Sequence, residues 1–214
     1  TPLRVSFCGG GTDIDDFSMS EPKGGRVVSA ALSRYVYVTI NRRFDDRLRV
    51  SYSTMEDVDS LDKIQHDLIR EALRLTGIDS GIEITTIADI PGQGTGLGSS
   101  STVTVGLLNA MHAFQGRKVS NEQLAEEACQ IEIDTLGAPI GRQDQYAASF
   151  GGVNSIRFGE SGVKVEPIEV SKGLAKKFSE NFTLVFTGLT RSASKVLSEE
   201  SDDQSDKISR MREI

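Results

Sequence analysis

The sequence has few of the residues that form disulfide bonds or bind structural metal ions. It contains two cysteines, Cys8 and Cys129, and two histidines, His66 and His112. Two distant cysteines give neither a disulfide framework nor a zinc signature, which favours a reducing cytoplasm. Both histidines fall in helical patterns, where we expect a solvated or packing role. A histidine-dependent triad and a histidine-rich metal site are therefore not expected.

Long apolar runs and an excess of positive charge are also missing. No stretch approaches the roughly 18 apolar residues of a membrane helix, which predicts a soluble protein without a membrane partner. The net charge of -7 argues against a nucleic-acid partner. The first residues, TPLRVSF, resemble a strand and not a leader segment. Because no initiator Met is present and the charged end lacks a helix cap, we expect a piece of a longer chain.

What the sequence does contain is a mixture of strand and helix patterns, which predicts an α+β fold. Strands are predicted at 3–7, 25–30, 34–44, 47–53, 81–90, 153–158, 163–170 and 182–188. Helices are predicted from Ser60 to Gly77, through Val103 to Phe114, and from Ser120 to about Leu136. We expect the last helix to bury Leu124, Ala128, Ile131 and Thr135. Residues 137–152 are expected to form a loop.

The segment PGQGTGLGSSSTV, residues 91–103, lies between a predicted strand and a predicted helix. Glycines allow close backbone approach, and a helix start offers unpaired N–H groups, so the segment predicts a phosphate site. It lacks the lysine of a Walker A loop, the last glycine of a dinucleotide fingerprint and the second glycine of a hydrolase elbow. A flexible linker is the alternative.

Because this loop has no lysine, balancing a triphosphate requires cations from elsewhere. Mg²⁺ prefers hard oxygen ligands and usually takes only one or two from protein. Hydroxyls are available at Ser99, Ser100 and Ser101. Glu132 follows Leu124 and Ala128 at helical spacing on an apolar face, which indicates either metal ligation or a structural salt bridge.

Three further charged residues each have a functional and a structural interpretation. Asp144 is either a positioned acid or base or a surface turn residue. Arg4 lies between apolar neighbours in the first strand, where a site residue and an exposed strand arginine are both open. Asp13 either accepts hydrogen bonds from a sugar hydroxyl or caps a helix that begins at Ile14.

Three segments together resemble the GHMP kinases, the family named for galactokinase, homoserine kinase, mevalonate kinase and phosphomevalonate kinase. They are TPLRVSFCGGGTD, PGQGTGLGSSSTVTVGLLNAM and IEIDTLGAPIGRQDQYAASFGG, in this order along the chain. Within the family, GGGTD, RYVYVTINRRFDDR and TGLTRSAS are most similar to bacterial D-glycero-D-manno-heptose 7-phosphate kinases. The family's third, glycine-rich motif is not present in these residues. The resemblance implies ATP and Mg²⁺ as cofactors.

The resemblance also implies residue roles. It makes Asp144 the catalytic residue, contacted by Arg4, and it makes Ser100 and Glu132 the Mg²⁺ ligands. The ATP phosphates would lie on Gly94, Thr95, Gly96, Leu97, Gly98, Ser99, Ser100 and Ser101. The sugar-side positions would be Gly10, Gly11, Asp13, Gly151 and Gly152.

The implied fold has two α+β domains with ATP between them. Residues 1–175 would be the N-terminal domain, of two layers, and 176–214 the start of a truncated, ferredoxin-like C-terminal domain. The implied reaction is phosphoryl transfer from ATP to the anomeric C1 hydroxyl of a sugar phosphate in heptose activation. A 1-kinase for an uncharged sugar such as fucose and a non-catalytic sugar or nucleotide sensor are the alternatives. The partner would be a small molecule, and a homo-oligomer is left open.

Arg42, Arg43 and Arg47 form a candidate phosphate-binding cluster or a solvated strand end.

Overall fold

The computed structural model describes residues 1–90 and 95–185. Seven strands form one sheet in these residues, and helices pack against it, which confirms the predicted mixture of elements. The strands are β1 Pro2–Cys8, β2 Gly25–Arg42, β3 Leu48–Ser51, β4 Met55–Val58, β5 Ile82–Ala88, β6 Val153–Gly159 and β7 Gly162–Pro167. The helices are α1 Asp15–Ser18, α2 Asp67–Thr76, α3 Ser99–Phe114, α4 Asn121–Cys129, α5 Gln143–Phe150 and α6 Lys172–Asn181.

The long strand β2 organises the sheet. The two strands predicted at 25–30 and 34–44 are one strand, because the connecting residues 31–33, Ala-Leu-Ser, contain no glycine or proline to end it. The sheet order is β4-β3-β5-β2-β6-β7, with β1 paired to β2 off this path. β1 runs antiparallel to β2, with Arg4 opposite Ala31, and among the described strands only β3 and β5 pair in parallel.

Two clusters of buried side chains form the core. One joins β3 and β5 to α2 and α3, with Ile84, Leu107 and Met111 fully buried. The other joins β2 and β6 to α4 and α5 through Val27, Ile156 and Tyr146. Each cluster excludes apolar surface from water, the main stabilising contribution of such contacts. In the described part of the chain, no helix is long and apolar enough to cross a membrane.

The predicted helix from Ser60 to Gly77 begins later than the sequence indicated. Residues Leu61–Lys63 form a single 3₁₀ turn, and the extended backbone of Ile64 then interrupts the helix. α2 starts after His66, whose Nδ1 accepts a hydrogen bond from the Ile69 N–H at 3.5 Å, and ends at Gly77 with φ 72°. Ile64 is completely buried although it lies outside the helix, so its apolar spacing was misleading.

The predicted helix from Ser120 to Leu136 changes its winding partway along. α4 begins as expected, with the Ser120 side chain accepting from the Gln123 N–H, but Gln130–Thr135 is a π-helix. A π-turn adds one residue to the turn and shifts the faces that follow it. Thr135 is consequently exposed, contrary to the prediction, and Leu136 packs against the core instead.

The region predicted as a loop, 137–152, contains a helix. α5 begins after its N-cap Arg142, and its inward residues Tyr146, Ala147 and Ala148 are buried. Near the end of the described chain, residues 182–185 are not in a strand, which contradicts that part of the prediction for 182–188. The helix α6 runs across residue 175, the position of the expected domain boundary.

Candidate active site

The site is centred on an ion pair between β1 and the first turn of α5. The Arg4 Nε donates to Asp144 Oδ1 at 2.5 Å, and Arg4 Nη2 lies 2.5 Å from the same oxygen. Both side chains are mostly shielded, with 12% of Arg4 and 23% of Asp144 exposed. The two residues are 140 positions apart in sequence, so the fold brings the predicted catalytic pair together. Exposure of Asp144 is enough for a ligand to reach its carboxylate.

Arg4 also connects this pair to the glycine and serine loop. Its Nη1 donates to the Gly96 carbonyl at 2.8 Å, and its backbone N–H donates to the Leu97 carbonyl at 3.2 Å. Gly98 then takes a left-handed conformation, with φ 72°, and α3 begins at the next residue. A Cβ at Gly98 would lie 3.1 Å from Asp144 Oδ2, a separation that leaves little space. The loop therefore approaches the Asp144 carboxylate closely at Gly98, where a side chain would crowd it.

A second carboxylate lies at the start of α3. Glu132 is 2% exposed, and its Oε1 accepts from the Ser100 hydroxyl at 2.7 Å. The Thr104 hydroxyl donates to the same oxygen at 3.2 Å, and the Gln145 Nε2 donates to Oε2 at 2.5 Å. Burial raises the pKa of the Glu132 carboxyl, although hydrogen bonds from Ser101 and these neighbours act in the opposite direction. The prediction that Glu132 lies on a buried face beside Ser100 is confirmed.

The residues at this point fit a hydrated magnesium ion. The salt-bridge interpretation of Glu132 is not supported, because the donors that reach its carboxylate are hydroxyls and an amide. Among the described residues, no group of three or more His, Cys, Asp or Glu side chains is placed to hold a metal ion. One carboxylate and one hydroxyl are the small protein contribution that Mg²⁺ commonly takes when phosphates supply the rest.

Asp13 joins the N-terminal glycine loop to the start of α5. It is 1% exposed, its Oδ2 accepts from the Gln143 N–H at 3.0 Å, and its Oδ1 accepts from Gln143 Nε2 and the Gly11 N–H, each at 3.0 Å. Burial raises the pKa of the Asp13 carboxyl. The N-cap of α1 is Ile14, so the interpretation of Asp13 as a helix cap is wrong. In this structure, protein donors occupy both of its oxygens.

The remaining predicted sugar-side glycines surround α5 and β1. Gly10 lies beside Gln143, with the position of a Cβ 3.9 Å from Nε2. α5 ends at Gly151. The Gly152 carbonyl accepts a hydrogen bond from the N–H of Ala31, the β2 residue that pairs with Arg4 of β1. Gly94, predicted to contact phosphate, lies outside the described residues.

Sequence reasoning missed several side chains of this network. Gln143 bridges Asp13 and the Ser6 hydroxyl, which donates to Gln143 Oε1 at 2.5 Å. Gln145 and Thr104 hold Glu132. Thr104 follows Ser100 by one helical turn and could have been recognised from that spacing. The two glutamines could not, because their segment has the glycines and polar residues of a loop although it forms α5.

The arginine cluster Arg42, Arg43 and Arg47 lies far from the ion pair. Arg42 ends β2 eleven residues beyond Ala31, the partner of Arg4, which is roughly 36 Å of strand at about 3.3 Å per residue. Arg43 pairs with Asp45, and Arg47 pairs with Asp57. Arg43 and Arg47 thus form a charge-paired strand end at the opposite part of the sheet, whereas Arg42 lies over the Phe114 ring.

Comparison with known proteins agrees with this geometry. Residues 63–152 match the GHMP kinases N terminal domain. The chain is 31% identical, over 209 residues, to the D-glycero-alpha-D-manno-heptose 7-phosphate kinase of Campylobacter jejuni subsp. jejuni serotype O:2, covering 90% of this chain and 60% of the relative. It is 27% identical to the L-fucokinase/L-fucose-1-P guanylyltransferase of Bacteroides fragilis, covering 93% of this chain and 24% of the relative.

A solved structure gives the same result for the fold. The crystal structure of a D-glycero-D-manno-heptose 1-phosphate kinase from Bacteroides thetaiotaomicron superposes with a TM-score of 0.72 at 30% identity, covering 80% of this chain and 60% of that one. The chain thus spans three fifths of the length of its heptose kinase relatives. It carries a GHMP kinase N-terminal domain over residues 63–152, and its heptose kinase relatives are similar to it over most of its length.

Proposed function

We propose that the protein carrying this chain is an ATP-dependent sugar kinase. It transfers the γ-phosphoryl group to the anomeric C1 hydroxyl of a sugar phosphate, with D-glycero-D-manno-heptose 7-phosphate as the favoured substrate. The observation that carries the proposal is the contact of the Arg4 and Asp144 pair with the backbone of the loop at Gly96 and Gly98. This contact brings a proton acceptor next to a backbone suited to phosphate.

Phosphoryl transfer requires the protein to position the reactants and to neutralise charge, and it requires little covalent bonding to the protein. Asp144 accepts the proton of the sugar hydroxyl, and Arg4 orients its carboxylate and supplies positive charge near the transferred group. Backbone N–H groups at the start of α3 bind phosphate oxygens. Ser100 and Glu132 would hold Mg²⁺, which, when bound, neutralises charge on the phosphates. Gly10, Gly11, Asp13, Gly151 and Gly152 form the sugar side.

The substrate proposal is supported by the heptose kinase relatives. Both carry names that specify a phosphorylated heptose, and both cover most of this chain. A cytoplasmic location is consistent with a kinase that uses ATP and with Cys8 and Cys129, which are not joined in a disulfide. The division at residue 175 between an N-terminal and a C-terminal domain remains part of this proposal.

A 1-kinase for an uncharged sugar is the second candidate, because the fucokinase from Bacteroides fragilis is also similar over nearly the whole chain. A sensor without catalysis is less well supported. It would not need Arg4, Glu132 and Asp144 arranged around one loop, since buried charges are costly to keep.

The test is a coupled assay of ADP release by the full-length protein over matched sugars and sugar phosphates. We expect heptose 7-phosphate to support turnover and the unphosphorylated heptose to support little. Equal turnover with both, or preference for fucose, would favour the second candidate. ATP binding without any sugar-dependent ADP release would reject a kinase.

A further inference from the structure

A buried amide lies behind the Glu132 carboxylate. Gln145 is 0% exposed, and its side-chain nitrogen lies 2.5 Å from Glu132 Oε2. Because an ionised carboxylate can only accept hydrogen bonds, the nitrogen of the amide must face it. The Gln145 Oε1 then faces away, and it is a buried acceptor with no hydrogen-bond partner in the described part of the chain.

This arrangement reduces the stability of the folded protein. A buried carboxylate served by neutral donors is poorly compensated for its lost hydration, and an unpaired buried carbonyl adds a further penalty. An apolar residue at position 145 would avoid the second penalty. A packing role alone therefore does not account for an amide here, whereas a ligand that brings positive charge and hydrogen-bond donors does.

Two consecutive residues in the first turn of α5 contact two different charged residues of the site. Asp144 pairs with Arg4, and Gln145 holds Glu132. Glu132 Oε1 faces Ser100, while its Oε2 is held from the opposite side by Gln145. Gln145 can therefore orient the Glu132 carboxylate and change its affinity for a metal ion, as residues that contact metal ligands generally do.

We propose that Gln145 is a positioning residue that orients the Glu132 carboxylate toward Ser100 and thereby sets the affinity for the divalent cation bound with ATP. This inference rests on the proposed function. Thr104 has a weaker share in the same role, because its hydroxyl reaches Oε1 at the longer distance of 3.2 Å.

The experiment measures Mn²⁺ affinity of the full-length protein without sugar, with protein in excess over ATP so that all ATP is bound, from the electron paramagnetic resonance signal of free Mn²⁺. In Gln145→Met, which keeps the length of the side chain but removes the amide, we expect the affinity to fall about tenfold or more. ATP affinity in EDTA should remain unchanged. The matched control is Gln130→Met, at an exposed position just after α4, which should bind Mn²⁺ as the wild type does.

Thr104→Val is the second variant, and we expect it to lose Mn²⁺ affinity to a smaller extent. If Gln145→Met does not fold, Thr104→Val still tests whether the hydrogen bonds to the Glu132 carboxylate set the Mn²⁺ affinity. A purely structural role predicts a lower melting temperature with unchanged Mn²⁺ affinity in the folded protein, and that result would overturn the inference. A wild type that fails to bind Mn²⁺ with ATP would instead reject the proposed function, and the inference with it.

Discussion

At the scale of the residue, each charged group of the site has a different environment. Asp144 is partly exposed and paired with Arg4, which suits a group that must meet a substrate. Glu132 and Asp13 are almost fully buried and are held by hydroxyl, amide and backbone donors. These differences separate the proposed proton acceptor from the proposed metal ligand and from Asp13, whose oxygens are occupied by protein donors.

Replacing Arg4 tests whether its positive charge and orientation matter. In Arg4→Met we expect kcat to fall about 10²-fold or more, because the ion pair to Asp144 and the bond to the Gly96 carbonyl are both lost. Arg34→Met is the matched control, since Arg34 is exposed on β2 and its side chain donates to the Ser33 carbonyl beside it. Steady-state kinetics measures both. Similar kcat values for the two variants would remove Arg4 from the mechanism.

Replacing Glu132 tests how much its buried carboxylate lowers the stability of the folded protein. Burial raises the pKa of its carboxyl in the folded state, so the folded protein binds this proton more tightly than the unfolded chain does. The metal-free wild type should therefore lose stability as pH rises from the ordinary carboxyl range through the raised pKa. In Glu132→Gln this loss is absent, and the amide oxygen of the new glutamine can still accept from Gln145 Nε2.

The measurement is the melting temperature in EDTA at pH 4 and pH 8. Relative to the wild type, Glu132→Gln should gain stability at pH 8 more than at pH 4, and it should lose the increase that Mg²⁺ with ATP gives. Glu126→Gln, exposed on α4, is the control and should follow the wild type. A variant that is less stable than the wild type at pH 8 would contradict this prediction.

At the scale of the element, strands and long helices were predictable, whereas the short connections that shape the site were not. The β-branched pattern of β2 and the apolar spacing of α3 follow directly from their side chains. The π-turn at Gln130–Thr135 depends on backbone pairing, such as the Leu136 N–H bond to the Ile131 carbonyl, which no periodicity reveals. α5 is too short and too polar to be recognised, although Asp144 lies in it.

The turn into α3 depends on Gly98. In Gly98→Ala, an L-residue at φ 72° costs about 1–2 kcal/mol, and its Cβ would also crowd Asp144. Gly116→Ala is a matched control, because Gly116 has φ 74° with nothing within 4 Å of a Cβ. We expect both variants to lose similar stability in denaturant titrations, while only Gly98→Ala loses about tenfold or more in kcat/KM for ATP. Equal kcat/KM in the two would show that the close approach is unimportant.

At the scale of the whole molecule, the sheet separates two groups of charged residues. The proposed catalytic groups lie where β1 meets the first part of β2, and Arg43 and Arg47, which pair with aspartates, lie beyond its other end. Charge clustering in sequence therefore does not place a residue near Asp144. The resemblance to a family pointed to Arg4, Glu132 and Asp144, and the fold brings the motifs that carry them together around one loop.

The double variant Arg43→Gln with Arg47→Gln tests this separation. Because both arginines pair with nearby aspartates far from Asp144, the KM for heptose 7-phosphate should stay within about twofold of the wild type, since exposed ion pairs contribute little. Steady-state kinetics with phosphorylated and unphosphorylated heptose gives the comparison. A selective, large rise of KM for the phosphorylated sugar would place the substrate phosphate at these arginines.

The most direct test of the central claim measures ATP binding and sugar-dependent ADP release in the same preparation of the Asp144→Asn variant. The substitution keeps the size of the side chain and removes its ability to accept a proton. We expect the variant to bind ATP with wild-type affinity and to release no ADP above background with any sugar phosphate that the wild type uses. Wild-type turnover by Asp144→Asn would contradict the assignment of Asp144 as the base.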